Sequence, residues 1–152
     1  MTPSIEYNGY GFIEGPNGAD SVLILSFKFK DGDGDIGLGQ GDTMAPFNAI
    51  DSAGIPKNPY YFNLYLEYLE FYEGKFNYVL YPFREDTFNY RFRVQSLTPE
   101  GPHKAIRGDI AVTVEPSPFA DAHDTVMYKI LLYDRALHPS NKIETPPIVW
   151  KR

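Results

Sequence analysis

The chain has 152 residues, a net charge of −6, a pI near 5.0 and 43% hydrophobic residues, with 12 Tyr, 11 Phe and 1 Trp but no Cys. That length fits a single domain, 1–152, with a core of its own. The missing cysteines exclude disulfides, thiolate metal sites and cysteine nucleophiles, and an acidic chain without a basic stripe argues against a nucleic-acid partner.

From the N-terminus, no signal peptide is visible, and Met1 before Thr2-Pro3-Ser4 reads as a start placed on a trimmed mature chain. Ile5 to Ile13 makes a weak strand thinned by Gly9 and Gly11. Ser21 to Lys30, "SVLILSFKFK", alternates: Leu23, Leu25, Phe27 and Phe29 fall on one face and Ser26, Lys28 and Lys30 on the other. Its run Val22-Leu23-Ile24-Leu25 is the longest aliphatic stretch, far too short to span a bilayer. Asp31 to Pro59 is unpatterned and rich in Gly, Asp, Asn and Pro, and loops this long are usually functional or disordered.

Phe62 to Tyr72, "FNLYLEYLEFY", reads as a strand, because Phe62, Leu64, Leu66 and Tyr68 alternate; helix is the competing assignment, since Leu and Glu propagate helices. Glu73-Gly74-Lys75 is a turn into a second run, Phe76 to Tyr81. Thr87 to Val94 alternates, as do Ile106 to Val114, where Gly108 suggests a bulge, and Val126 to Leu132. Ile143 and Ile148-Val149-Trp150 form a last strand that Pro146-Pro147 interrupts, hence at an edge. Seven to nine such strands, with no convincing helix, predict an all-β, antiparallel sandwich.

The candidate site is the acidic stretch "DGDGDIG", Asp31 to Gly37. Calcium takes six to eight oxygens, and aspartates on alternate residues wrap them around one ion. With Asp31 at position 1 of a twelve-residue loop, Asp33, Asp35 and Asp42 fall at 3, 5 and 12. Ile36 stands at position 6, where an EF-hand needs Gly, and the flanks are not helices, so an EF-hand is excluded and a calcium loop of another geometry stays open. Two other readings stay open as well: the aspartates organise the loop as Asx-turns, or they are solvated turn formers.

Tyr128 to Asn141, "YKILLYDRALHPSN", ends a strand at Tyr133 and opens a loop at Asp134. With Asp134, Ala136, Ser140 and Asn141 it resembles the last hairpin of bacterial immunoglobulin-like domains, although Leu137-His138-Pro139 replaces their usual Gly-Asn. Together with "FKDGDGDIG" (29–37) and "IRGDIAVTV" (106–114), it makes the chain similar to the immunoglobulin-like secreted lipoproteins of Bacteroidota. The resemblance implies an immunoglobulin-like sandwich outside the inner membrane, as an outer-membrane lipoprotein or a secreted protein. It implies a membrane tether only through a lipid-bearing Cys that this chain lacks, and it implies no specific activity.

In that fold, strands B (Val22–Lys30) and F (Val126–Tyr133) run towards one end, which brings the B–C and F–G loops together. Asp31, Asp33, Asp35 and Asp42 would then share a rim with Asp134, Asn141 and the Arg84-Glu85-Asp86 turn, and Asp134 would be a fifth metal ligand. The competing reading has Asp134–Arg135, or Asn141, bracing the hairpin. Tyr128 is a candidate for a tyrosine corner, or else an ordinary half-buried strand residue.

No zinc spacing joins His103, His123 and His138, and no G-x-S-x-G elbow, P-loop or dinucleotide fingerprint occurs. Glu67 and Glu70 point to opposite faces of a strand, a poor glycosidase pair, and read as solvated. Tyr60, Tyr61, Tyr65, Tyr68, Tyr72, Tyr78 and Tyr81 offer either a row that stacks on sugars or residues divided between the core and cross-strand cover. The expectation is a non-enzymatic cell-envelope module for adhesion, scaffolding or accessory binding, with calcium as its candidate cofactor and a surface protein or glycan as its partner. A glycan-binding module using exposed tyrosines and an uncharacterised hydrolase are the alternatives.

Overall fold

The computed structural model describes residues 2–31, 62–82, 86–94 and 106–152. Among these residues there is no helix, and the alternation read from the sequence becomes nine strands. They are β1 (Ser4–Glu14), β2 (Asp20–Asp31), β3 (Leu64–Tyr72), β4 (Lys75–Tyr78), β5 (Asn89–Phe92), β6 (Ile106–Val114), β7 (Thr125–Leu132), β8 (Ile143–Glu144) and β9 (Ile148–Val149).

One sheet has the order β1-β2-β6. In the other, β3 and β7 pair antiparallel from Leu64↔Leu132 to Glu70↔Val126, and each outer neighbour comes in two pieces. β4 and β5 occupy successive stretches of one edge of β3, and β8 and β9 do the same along β7. The orders correspond to A-B-E and C′-C-F-G of an immunoglobulin-like sandwich.

The ambiguous segment is a strand because both its neighbours demand it. Leu64, Leu66 and Tyr68 face inward against Leu132, Ile130 and Tyr128, and all six are essentially sealed from water. Leu23, Leu25 and Phe27 of β2 close the core from the other sheet. Each buried Leu, Ile or Phe in this layer contributes roughly 1.5–3 kcal/mol over exposure. Aromatic rings fill the gap between sheets edge-on: Phe12 meets Trp150 at 4.9 Å, and Phe88 meets Tyr90 at 5.0 Å and Phe119 at 5.1 Å. Tyr90 also crosses the sandwich, its hydroxyl donating to the Glu115 carbonyl at 2.7 Å.

Two local features differ from the sequence reading. The bulge lies in β1 between Tyr7 and Gly9, where Gly9 takes φ +123°, a conformation that suits glycine. Gly108, by contrast, sits in an unbroken ladder from Leu23↔Val114 to Asp31↔Ile106. It is small for a packing reason: a Cβ there would come 3.3 Å from Cε1 of Phe29, whose ring lies over it. Tyr128 makes no tyrosine corner. Its buried hydroxyl reaches no upstream backbone group, and the residue is sealed in the core rather than half-buried as the ordinary reading had it.

Because a Cβ at 108 would press on the buried Phe29 ring at 3.3 Å, Gly108→Ala is expected to destabilise by about 1 kcal/mol through overpacking. The cost should shrink in a Phe29→Leu background, and a double-mutant cycle by urea denaturation measures that coupling. Equal cost in both backgrounds would show that the ring does not set the residue at 108.

Candidate functional site

The described residues gather the long connections at one end of the sandwich. Asp31, the last residue of β2, pairs with Ile106 at the start of β6. Tyr133, just past β7, donates its N–H to the Asn63 carbonyl at 2.8 Å. Asn141 lies against Ile5, the cross-strand partner of Phe29. The chain therefore leaves for 32–61 at Asp31 and returns at Phe62, and leaves for 95–105 at Val94 and returns at Ile106, all at this loop end. The opposite, turn end holds the Gly15–Ala19 and Glu73-Gly74 turns and the link from Val114 to Thr125.

Two asparagines clamp the loop end, each serving both backbone groups of one residue. Asn63, 3% exposed, accepts from Val94 N–H at 2.6 Å and donates to the Val94 carbonyl at 2.9 Å. Asn141 accepts from Ile5 N–H at 2.8 Å and donates to the Ile5 carbonyl at 2.9 Å. A side-chain amide carries one acceptor and two donors, so it replaces a strand partner where the ladder ends. Asn141 thereby ties the β7–β8 hairpin of one sheet to β1 of the other.

The candidate metal ligands are placed as follows. Asp31 is fully buried at the end of the inward-facing row Leu23, Leu25, Phe27 and Phe29. Asp33, Asp35 and Asp42 lie outside the described residues. Asp134 is buried and braces its own hairpin: Oδ1 accepts the His138 N–H at 2.8 Å and Oδ2 lies 3.1 Å from His138 Nδ1. The loop closes with Leu137 N–H on the Asp134 carbonyl at 3.0 Å, Leu137 taking φ +65°. The bracing reading thus gains His138 as Asp134's partner, and Asn141 as a brace across the sheets. Among the described residues, no three His, Asp or Glu side chains come together to hold a metal ion.

Asp86 does not share this rim. It belongs to an excursion between β4 and β5, closed by the Leu80↔Thr87 bridge and the Tyr81 N–H bond to the Asp86 carbonyl. Tyr81 and Phe88 of that excursion pack on Phe119, beyond the far end of β6.

The sequence reading missed a polar cluster at the turn end. Glu70 reads as solvated from sequence but is 4% exposed, because it shares the inner face with Tyr68. Its Oε2 accepts the Tyr68 hydroxyl at 2.8 Å, and its Oε1 meets both the backbone N–H (3.2 Å) and Nδ1 (3.1 Å) of His123. The imidazole stacks on Tyr72 at 4.7 Å. The only sequence signal was parity, since residues 68 and 70 must share a face. Glu67, on the outer face, bonds Lys142 at 3.2 Å and the Tyr78 hydroxyl at 3.3 Å.

The described tyrosines of 62–81 are divided among different surroundings. Tyr68 is in the core, Tyr65 packs on Tyr133, Tyr72 on His123 and Tyr81 on Phe88, while Tyr78 lies under Lys129 on the outer face.

Burial raises the pKa of Tyr68, reinforced by the bond to Glu70, and burial likewise raises those of Tyr90 and Tyr128, with Trp150 opposing the shift at Tyr128. The unfolded chain titrates its tyrosines near ~10 and there loses protons that the fold retains. Stability from these groups is therefore whole below about pH 10 and falls as pH rises beyond it. Melting temperatures across that range, with tyrosinate absorbance, should show these three ionising only as the fold is lost; ionisation in an intact fold would contradict the assignment. Glu70→Ala leaves the Tyr68 hydroxyl buried without a partner and should cost about 1–3 kcal/mol by urea denaturation. Adding Tyr68→Phe should recover part of that loss, and no recovery would separate the two groups. Comparison of the chain with protein-family models, with curated proteins and with solved structures found no match.

Proposed function

We propose that the chain is a non-enzymatic accessory module of the cell envelope, extracytoplasmic, that adheres to or scaffolds a surface protein or glycan through its loop end. One observation carries the reading: the connections 32–61 and 95–105 and the β7–β8 hairpin all start and finish at one end, on a frame clamped by Asn63 and Asn141. Sandwiches bind in this way, with variable loops held by a rigid scaffold. The core behind those loops is packed with aliphatic and aromatic side chains.

Calcium enters the reading as a ligand of Asp31 with Asp33, Asp35 and Asp42, where it would stiffen the acidic stretch. Asp134 would have to exchange His138 for the ion, since both its oxygens face that residue. Extracellular modules bind calcium at about 10⁻⁴–10⁻³ M, so millimolar calcium is the relevant range.

The test couples stability to adhesion. Millimolar calcium should raise the melting temperature over that in EDTA, and Asp33→Ala should abolish the rise. Beads coated with the protein should adhere to isolated cell envelopes, and the triple variant Asp33→Asn, Asp35→Asn, Asp42→Asn should adhere less. Adhesion unchanged in the triple variant would remove the loop end from the account. The absence of any calcium response, in wild type and variant alike, would remove the ion alone.

A further inference from the structure

The outer face of the three-stranded sheet carries a groove that borders the loop end but is built from strand residues alone. It encloses about 490 Å³ and lies over a three-by-three block: residues 4–6 of β1, 28–30 of β2 and 107–109 of β6. The register explains its shape. Ile5, Phe29 and Gly108 stand side by side, and Ile5 and Phe29 are buried on the inner face, which leaves the middle row without outward side chains. The flanking rows point outward and form the walls: Ser4, Lys30 and Arg107 on one side, Glu6, Lys28 and Asp109 on the other, all exposed. The groove thus runs across the strands, with walls about 7 Å apart and a length of about 10 Å from strand rise and spacing.

Its charges are open. Among the described residues, Glu6, Lys28, Lys30, Arg107 and Asp109 make no ion pair or side-chain hydrogen bond, although Lys28 stands between Glu6 and Asp109 in register. On the outer face of the other sheet the comparable set closes on itself, Lys142 on Glu67 at 3.2 Å and Lys129 on Glu144 at 3.8 Å. In a chain of net charge −6, this block holds three cations against two carboxylates.

We infer that the groove binds an acidic sugar chain. Arg107 presents a planar fork that suits a carboxylate or sulfate, and Lys30 beside it adds a point charge. Glu6 and Asp109 are acceptors only, a match for the donors that sugar hydroxyls carry. No aromatic ring stands in the outward rows, so recognition is by charge and hydrogen bonds rather than stacking, and it weakens with salt.

Affinity electrophoresis through gels holding polygalacturonate, dextran sulfate, neutral dextran or polyglutamate tests this. Retardation by polygalacturonate or dextran sulfate is expected, the two arms separating carboxylate from sulfate, with none by neutral dextran. Lys30→Ala/Arg107→Ala should weaken it at least tenfold, Glu6→Gln/Asp109→Asn should also weaken it, and Lys142→Ala on the other sheet should not. All are exposed positions, so melting temperatures should stay unchanged; Lys30→Ala alone is the second variant. No retardation by either acidic polysaccharide, equal retardation by polyglutamate, or stronger retardation of Glu6→Gln/Asp109→Asn overturns the inference.

Discussion

The inner faces of β2, β3 and β7 must stay dry together, and the other elements are fitted around that requirement. Leu23, Leu25, Phe27, Leu64, Leu66, Tyr68, Val126, Tyr128, Ile130 and Leu132 are at most 1% exposed. Side chains two apart share a face, so a one-residue slip of any of these strands would turn the whole row to solvent. That penalty holds β3 as a strand against the helical preference of its Leu and Glu residues. It also explains Gly108, whose missing side chain leaves room for the Phe29 ring.

A core so rich in tyrosine brings hydroxyls inside, and the fold deals with each differently. Tyr68 donates to a buried glutamate, Tyr90 to a carbonyl beyond β6, and Tyr128 to nothing. Burying a hydroxyl costs free energy unless it is paired, so Glu70 sits where the buried Tyr68 ring ends, while the Tyr90 hydroxyl bonds the Glu115 carbonyl at the exposed rim. Glu70 in turn holds His123, which fastens the β6–β7 link to the turn end. Polar groups within this sandwich thus follow from the aromatic packing.

Three of the four sheet edges, all but β6, show a second pattern. β1 carries a bulge and the Asn141 clamp, the β4–β5 edge is broken by the 79–88 excursion, and the β8–β9 edge is broken by Pro146-Pro147. Bulges, prolines and interruptions of this kind discourage edge-to-edge pairing.

Alternation announced the strands other than β3, their inner faces and an antiparallel sandwich, because period two is a local property that each segment carries by itself, whereas β3 was settled against helix only by its pairing with β5 and β7. Pro146-Pro147 likewise announced the split edge, since proline cannot donate to a ladder. What only the tertiary structure decided were meetings between residues far apart in the chain: Asn141 with Ile5, Glu70 with His123, Asn63 with Val94, and the walls of the groove across β1, β2 and β6. Asp134 was legible as a residue that matters, but its partner was not, because the choice between Arg135, His138 and an ion depends on how the hairpin folds back. Glu70 was misjudged for a related reason: parity placed it on the Tyr68 face, but only the packed link at His123 closed that face to water.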